Sequence, residues 1–310
     1  MKIVALAGGV GGAKLAQGLA QILPPEKLTV IANTGDDFTY LGLSISPDVD
    51  TLCYTLAGFA NPQTGWGRAE ETWHAQESLE QLGGQTWFQL GDRDLATHLL
   101  RSHRLQNGDS LSSITRDFCR AWGVRHTVLP MSDDPVRTIV RTAEEGELPF
   151  QDYFVRRGCA PRVLGFRFDG AESARPAPGV LEAIAQADAV VICPSNPWVS
   201  IAPILAVAGV KSACAAKPLV AVSPIIGGKA VKGPAAKMYT ELGIQPSALA
   251  VAKDYGSLLD GFLFDSIDAA QEKAIQDLGI RTKTTDSLMK DEKGRRRLAK
   301  DVIDFTHTLI

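Results

Sequence analysis

The chain has 310 residues, of which 45% are hydrophobic, so it is long enough to bury one large core with room for an inserted subdomain. Its formal net charge of −3 excludes a general attraction to nucleic acid or to an anionic membrane surface, and we expect neither as a partner. The five cysteines form no CxxC pair, no apolar run reaches membrane-spanning length, and no signal peptide is recognisable, which together predict a cytoplasmic protein with reduced thiols.

The N-terminus predicts a buried strand, a glycine-rich turn and a helix. Apolar residues at 3–7 precede glycines at 8, 9, 11 and 12, and a helical apolar stripe begins at Leu15. Glycine lets the backbone approach a ligand closely, and the free N–H groups of a helix start attract an anion. The spacing matches no standard phosphate-binding fingerprint, so the pattern alone leaves a phosphate-binding loop and a tight structural turn equally open. The candidate anion-binding residues are Gly9, Val10, Gly11, Gly12 and Lys14.

Residues 28–32 predict a second strand, which forms a β-α-β unit with the first strand and indicates a parallel sheet. The polar turn Asn33-Thr34-Gly35-Asp36-Asp37 follows it directly. Open α/β sheets bind ligands at the carboxyl ends of their strands, where an acidic residue often meets a ribose hydroxyl. Asn33 and Asp36 are therefore candidate binding residues, and the alternative is an Asx turn that only ends the strand.

A second acidic segment, Ser46-Pro47-Asp48-Val49-Asp50, precedes an apolar helix over 52–57. Ser46 or Asp48 would cap this helix, but capping does not require two carboxylates two residues apart. With the acidic pair at 36 and 37 nearby, Asp48 and Asp50 predict a site for a hard divalent cation with oxygen ligands.

The middle of the chain, roughly residues 61–185, predicts a smaller, α-rich insertion that covers the sheet. The core of the single domain is then expected over roughly 1–60 and 186–310. Trp66 and Trp73 lie in a loop that enters a helix, where they would stack a flat ring or serve as ordinary packing.

A short predicted strand over 87–90 leads into the charged cluster Asp92-Arg93-Asp94 at the start of a helix. Arg93 would pair there with a phosphate or a carboxylate. None of the five histidines has metal-ligand spacing, and only His98, which follows this cluster, is a candidate for a role beyond packing.

Two later buried strands also end in turns suited to ligands. Residues 189–193 run into Pro194-Ser195-Asn196-Pro197, whose polar side chains suit a base or ribose edge. Residues 219–223 run into a loop with three glycines and three lysines, which predicts a second anion site, with solvated surface lysines as the alternative. The candidates in these turns are Ser195, Asn196, Gly227, Gly228 and Lys232.

The last third continues the alternation of strands and helices. Strands are predicted over 249–252, 262–264 and 280–284, and a closing helix runs to about residue 308. The whole pattern predicts an α/β protein with a mainly parallel sheet.

Taken together, the motifs resemble those of the 2-phospho-L-lactate transferases (CofD family) of coenzyme F-420 biosynthesis. They span almost the whole chain in the order of the family, which makes chance implausible. The matching stretches are GGVGGAKL at 8–15, NTGDD at 33–37, ISPDVDT at 45–51, WGRAEETW at 66–73, LGDRDLATH at 90–98, LPMSDDP at 129–135, PSNPWVSIAPIL at 194–205 and SPIIGGKAVKGPAAK at 223–237.

The resemblance implies a Rossmann-like three-layer α/β/α core with a smaller insertion, a homodimer, and a transferase that requires Mg²⁺. Such enzymes transfer a phosphoacid group from a guanosine diphosphate derivative to the ribityl hydroxyl of the deazaflavin alcohol Fo, and GMP leaves. The nucleotide phosphates would then lie on the turn at 9–12, with Lys14 alongside, and on the loop at 227–233. Asn33, Ser195 and Asn196 would lie near the nucleoside.

The acidic motif of the family places catalysis and Mg²⁺ binding on Asp48 and Asp50. The family positions that match Asp50 and Gln89 are linked to Fo binding, and Gln89 departs from the lysine of archaeal members. Trp66 and Trp73 become candidates for a wall against the deazaflavin ring, and Arg93 for the carboxylate or phosphate of the donor.

A related fold family contains non-enzymatic proteins that bind nucleotide sugars and act as regulators, and this is the alternative function. That family lacks the ISPDVDT segment that this chain carries at 45–51. Lactate, enolpyruvate and glycerate forms of the donor differ by a few atoms, and the sequence does not select among them.

Overall fold

The structure is a computed structural model and describes all 310 residues. The strands, in chain order, are β1 (Ile3–Ala7), β2 (Leu28–Ala32), β3 (Phe38–Tyr40), β4 (Leu43–Ile45), β5 (Thr127–Pro130), β6 (Arg137–Thr142), β7 (Gly146–Pro149), β8 (Val163–Asp169), β9 (Ala189–Ile192), β10 (Leu219–Val222), β11 (Ile225–Ile226), β12 (Lys229–Ala230), β13 (Gly261–Asp265) and β14 (Arg281–Thr285). The α-helices are α1 (Gly9–Ile22), α2 (Pro47–Ala57), α3 (His74–Gln81), α4 (Asp92–Gln106), α5 (Leu111–Ala121), α6 (Val180–Gln186), α7 (Ala202–Ala206), α8 (Val210–Ala215), α9 (Ala235–Glu241), α10 (Ala248–Tyr255), α11 (Glu272–Gln276) and α12 (Glu292–His307).

Seven strands form one parallel central sheet in the order β14-β13-β10-β9-β1-β2-β5. The chain builds outward from β1 in one direction through β2 to β5, and in the other direction through β9, β10 and β13 to β14. The strand order therefore reverses between β1 and β9. In open parallel sheets a crevice for ligands forms at such a switch point, outside the carboxyl ends of the strands.

Helices cover both faces of this sheet and give the predicted three-layer α/β/α core. The side chains of β1 alternate between the two faces, with Val4 and Leu6 in one apolar cluster and Ile3, Ala5 and Ala7 in the other. The first cluster includes residues of α6, α8 and α10, and the second includes residues of α1, α2 and α12. A strand buried on both faces is apolar throughout, which is why its run was recognisable in the sequence.

The boundaries of the insertion differ from the prediction of one α-rich segment over 61–185. β5 lies inside that range, yet it pairs with β2 as the edge strand of the central sheet, where Val128 joins the core. The helices α3, α4 and α5 precede it, and a three-stranded antiparallel sheet of β7, β6 and β8 follows it. Alternate residues of β6 are buried, as in a sheet with only one covered face.

Two predicted strands are wrong. Residues 249–252 lie in α10, because Ser247 caps this helix by accepting from the Ala250 N–H at 3.0 Å. Residues 87–90 have no strand partner and form a bend before α4. No helix of the structure combines the length and the apolar character needed to cross a membrane.

Candidate active site

A cavity of about 750 Å³ lies at the switch point of the sheet. It is lined by the turns that follow β1, β2, β9 and β10, and by Trp66, Trp87 and Phe154 from the segments that flank β5. Pockets for small molecules are commonly about 300–1,000 Å³, so this cavity has room for a nucleotide and part of a second substrate.

The glycine-rich turn after β1 packs closely against the turn after β9. Ser195 Oγ accepts from the Gly8 N–H at 3.1 Å and donates to the Gly8 carbonyl at 2.7 Å. A Cβ on Gly11 would lie 2.4 Å from the Pro194 carbonyl oxygen, and a Cβ on Gly12 would lie 2.5 Å from Ser195 Oγ. The glycines therefore permit a close approach of two backbones. The same turn starts α1 and lines the cavity, where a helix N-terminus favours an anion.

Two carboxylates from different turns, Asp36 and Asp48, meet in this cavity. Asp48 accepts from the Gly9 N–H at 2.6 Å and from Asn33 Nδ2 at 2.9 Å. Asn33 Nδ2 also lies 3.5 Å from one oxygen of Asp36, and Gln151 Nε2 donates to the other at 3.0 Å. No lysine or arginine pairs with either carboxylate, so neutral hydrogen-bond donors alone stabilise their charge.

The electrostatics of this pair favour a cation. Burial raises the pKa of Asp48 to about 6, against the hydrogen bonds from Asn33 and Gly9. Burial raises the pKa of Asp36 well above its ordinary value, and the charge of Asp48 adds to the effect. Mg²⁺ is commonly held by one or two carboxylates together with substrate phosphates. Because no three Asp, Glu, His or Cys side chains converge on a metal-sized site, a cation here would take its other ligands from substrate and water.

Asp50 has a different partner. Its two carboxylate oxygens accept from the guanidinium of Arg101, with Nη1 at 2.9 Å from Oδ2 and Nη2 bonded to Oδ1. Arg101 is 1% exposed. An arginine already neutralises this carboxylate, so of the two predicted metal ligands Asp48 is the one without a cationic partner, and the metal site stays a prediction. Asp50 also lines the cavity.

Lys14 and Lys232 bring positive charge to the part of the cavity beside α1. Lys14 Nζ donates to the Met289 carbonyl at 3.3 Å, and Lys232 Nζ donates to the Thr64 carbonyl. Burial lowers the pKa of Lys14, and the charges of Arg295 and Lys232 lower it further. Since neither lysine has a carboxylate partner, this part of the cavity suits a polyanion such as a diphosphate.

Comparison with known proteins identifies the family. The model of the family described as 2-phospho-L-lactate transferase CofD matches residues 3–304. The phosphoenolpyruvate transferase of Kitasatospora aureofaciens is 47% identical, over 98% of this chain and 97% of that protein. The 2-phospho-L-lactate transferase of Methanosarcina acetivorans is 40% identical, over 99% of this chain and 100% of that protein. The chain belongs to the CofD family.

The family assignment makes the protein a transferase, of a family that acts in the biosynthesis of coenzyme F-420. The phosphoenolpyruvate transferase of Streptomyces griseus is 44% identical, over 98% of each chain. A solved structure from Bacillus halodurans has the same fold, with a TM-score of 0.65 at 16% identity over 97% of this chain and 99% of that chain.

Most residues predicted for the site of this CofD-family transferase do line the cavity. They come from seven separate segments, which only the fold brings together. The cavity-lining members are Gly9, Val10, Gly11, Lys14, Asp36, Asp48, Asp50, Trp66, Gln89, Ser195, Asn196 and Lys232. Asn33 and Gly12 lie directly behind them, the first bonded to Asp48 and the second packed on Ser195.

Four predicted residues lie away from the cavity. Arg93 pairs with Glu70 at 3.3 Å on an exposed surface, and Trp73 is exposed at the start of α3. Gly227 and Gly228 form the tight turn between β11 and β12, where their φ angles of +55° and +76° require glycine. These glycines therefore serve the hairpin, and only the later part of the loop, with Lys232, reaches the cavity.

The sequence reasoning missed several members of the site. Arg101 gave no local signal, because its partner Asp50 is 51 residues away. Trp87 and Phe88 line the cavity beside Gln89 and pack on Tyr40, with ring centroids 5.2 and 5.8 Å from it. Their assignment to a strand concealed this role, although two adjacent aromatic residues before Gln89 were the available signal.

Proposed function

We propose that this transferase moves a phosphoacid-bearing phosphoryl group from a guanosine diphosphate-activated donor to the ribityl hydroxyl of Fo. The acceptor oxygen forms a bond to the phosphorus that carries the phosphoacid, the bond from that phosphorus to the GMP oxygen breaks, and the hydroxyl proton is released. The observation that carries the proposal is a single cavity with three kinds of lining. It contains two lysines and two carboxylates that form no ion pairs, together with a wall of aromatic side chains.

The donor would lie between the lysines and the carboxylates. Lys14, Lys232 and the first turn of α1 would bind the diphosphate, and Ser195 and Asn196 would lie near the nucleoside. Asp36 and Asp48 would hold Mg²⁺, which supplies charge neutralisation on the diphosphate when bound.

The acceptor would lie on the Asp50 side. Trp66, Trp87 and Phe88 offer apolar faces for the deazaflavin ring, and Gln89 offers an amide to its polar edge. Asp50, held by Arg101, would orient the terminal hydroxyl toward the phosphorus. Correct orientation of two bound reactants supplies a large part of the rate enhancement in such reactions.

The enolpyruvyl donor is our first choice among the three phosphoacids. The relatives above 40% identity include phosphoenolpyruvate transferases at 44% and 47%, and the 2-phospho-L-lactate transferase of Methanosarcina acetivorans is 40% identical. A homodimer and a cytoplasmic location stay predictions from the resemblance and from composition.

The test is a one-pot assay with purified protein, Mg²⁺ and Fo, with the enolpyruvyl, lactyl and glyceryl donors in separate tubes and products read by mass. We expect a phosphodiester of Fo in the enolpyruvyl tube. A product only in another tube would change the donor assignment. No product in any tube, together with no binding of Fo, would contradict the transfer to Fo and favour a nucleotide-binding regulator.

A further inference from the structure

Helices α2 and α4 meet through a buried row of polar side chains, of which the proposed reaction uses only one end. On α2 the row contains Asp50 and Tyr54, and on α4 it contains Asp94, His98 and Arg101. The α4 members are spaced i, i+4 and i+7, which places them on one face of the helix. His98 is 2% exposed and Arg101 is 1% exposed, so bulk water does not supply their hydrogen bonds.

The contact of His98 with Arg101 indicates which tautomer its ring adopts. Arg101 Nη1 lies 3.2 Å from His98 Nδ1, and a guanidinium can only donate. His98 Nδ1 must therefore accept, which leaves the proton of a neutral imidazole on Nε2. That Nε2 lies 3.3 Å from Asp94 Oδ1, which also accepts from the Tyr54 hydroxyl at 2.7 Å. The contact with Asp94 is one of distance only, because Nε2 has no hydrogen-bond partner in the structure, whereas Nδ1 is occupied by Arg101.

The other end of the row holds Asp50. Arg101 donates to both oxygens of this carboxylate, and its Nη1 also lies 3.3 Å from the Ser44 carbonyl. Two parallel bonds from a guanidinium keep a carboxylate in one plane. Arg101 Nε has no acceptor, so His98 Nδ1 is one of few contacts that set the orientation of the guanidinium.

We propose that His98 is a positioning residue, which orients Arg101 so that Arg101 holds the Asp50 carboxylate in place for the acceptor hydroxyl. The inference rests on the proposed function, because Asp50 has this task only if Fo is the acceptor. On the other side of the ring, Asp94 Oδ1 lies 3.3 Å from Nε2 and accepts from the Tyr54 hydroxyl.

The test compares His98→Leu with His98→Asn. Leucine removes the acceptor that Nδ1 offers to Arg101, whereas the side-chain oxygen of asparagine can replace Nδ1. Because a displacement of about 1 Å can cost about 10²-fold in rate, we expect His98→Leu to lower kcat by about 10²-fold and raise KM for Fo. KM for the donor should change by less than about twofold, because none of the proposed donor contacts is bonded to His98 or Arg101. His98→Asn should restore most of kcat.

The matched control is Ser102→Ala, on the same face of α4. Ser102 Oγ accepts from the Ser44 N–H at 2.7 Å and donates to the His98 carbonyl at 2.6 Å, so its removal loosens α4 without removing a side chain of the row. We expect a lower melting temperature, with kcat and both KM values close to those of the wild type.

The outcomes separate this inference from the proposed function. Wild-type protein that makes no product from Fo would overturn both. Wild-type activity with equal losses in His98→Leu and His98→Asn, or with a parallel rise in KM for the donor, would overturn only the role of His98. Loss of the fold in both His98 variants would assign this residue to stability and would also overturn the inference.

Discussion

Lys232 makes its only hydrogen bond to a backbone carbonyl, that of Thr64, although an ammonium group bonds more strongly to an anion. A phosphate that enters the cavity offers such an anion. The contact with Thr64 therefore holds the lysine near the site without satisfying its charge, and a diphosphate would gain from replacing that carbonyl.

We predict that Lys232→Ala weakens the binding of GDP by about 10-fold, because a hydrogen bond between charged groups contributes about 1.5–3 kcal/mol, part of which water replaces. Isothermal titration calorimetry with GDP measures this change. Lys229→Ala is the matched control, since Lys229 is exposed in the same loop and does not line the cavity. Equal affinities of the Lys232 and Lys229 variants would contradict the assignment of Lys232 to the phosphates.

Lys14→Ala should be milder than Lys232→Ala. The backbone N–H groups at the start of α1 remain in this variant, and they bind an anion without help from a side chain. The same titration with GDP gives the comparison. Complete loss of GDP binding in Lys14→Ala would show that the backbone contributes little at this turn.

At the level of elements, the turn between β1 and α1 depends on the close packing of Gly11 on Pro194. A methyl group on Gly11 would meet the Pro194 carbonyl at 2.4 Å and would push the turns after β1 and β9 apart. Overpacking of this kind costs about 1–3 kcal/mol, so we predict that Gly11→Ala lowers the free energy of unfolding by about 2–3 kcal/mol. Urea denaturation followed by circular dichroism measures the loss.

The comparison variant is Gly9→Ala in the same turn. Gly9 has a φ of +64°, but a Cβ there would have no atom within 4 Å. Only backbone strain is expected, of about 1–2 kcal/mol. If Gly9→Ala destabilised the protein more than Gly11→Ala, the close approach to Pro194 would not be the reason for glycine at 11.

The strands that were predictable from the sequence are those that are buried along their whole length. β1, β2, β9 and β10 are apolar at nearly every position, so their runs and the polar turns after them were visible. Residues 249–252 have the same composition but lie in α10, because a short run of Ala, Leu and Val fits a buried helix as well as a strand. The partner of a strand such as β5 depends on tertiary packing, which no local pattern records.

At the scale of the whole molecule, the cavity joins segments that are far apart in the chain, from the turn after β1 to the loop that holds Lys232. The motifs identified most of these segments separately. The strand order determines which of these segments meet. The ion pair of Asp50 with Arg101 and the proximity of Asp36 to Asp48 were visible only in the structure. A ligand that contacts all these segments binds the folded chain and not the unfolded one.

A ligand that binds only the folded chain stabilises the fold, and this stabilisation gives a test of the metal site that does not depend on activity. Ligand at about 100 times its dissociation constant stabilises the folded state by about 2.7 kcal/mol, so GDP with Mg²⁺ should raise the melting temperature by several degrees. Part of the shift should require Mg²⁺ and disappear with EDTA, because Asp36 and Asp48 repel the diphosphate unless a cation lies between them. Differential scanning fluorimetry with and without Mg²⁺ separates the two parts.

Asp48→Asn decides whether the cation lies on this carboxylate pair. The amide keeps an acceptor for the Gly9 N–H but removes one negative charge, so the Mg²⁺-dependent part of the GDP shift should vanish while the metal-free part stays or grows. The matched control is Asp92→Asn, an exposed carboxylate at the start of α4 that lies outside the cavity and should leave both parts unchanged. A full Mg²⁺-dependent shift in Asp48→Asn would place the cation elsewhere, since a carboxylate that neutralises Mg²⁺ cannot be exchanged for a neutral amide without loss of metal affinity.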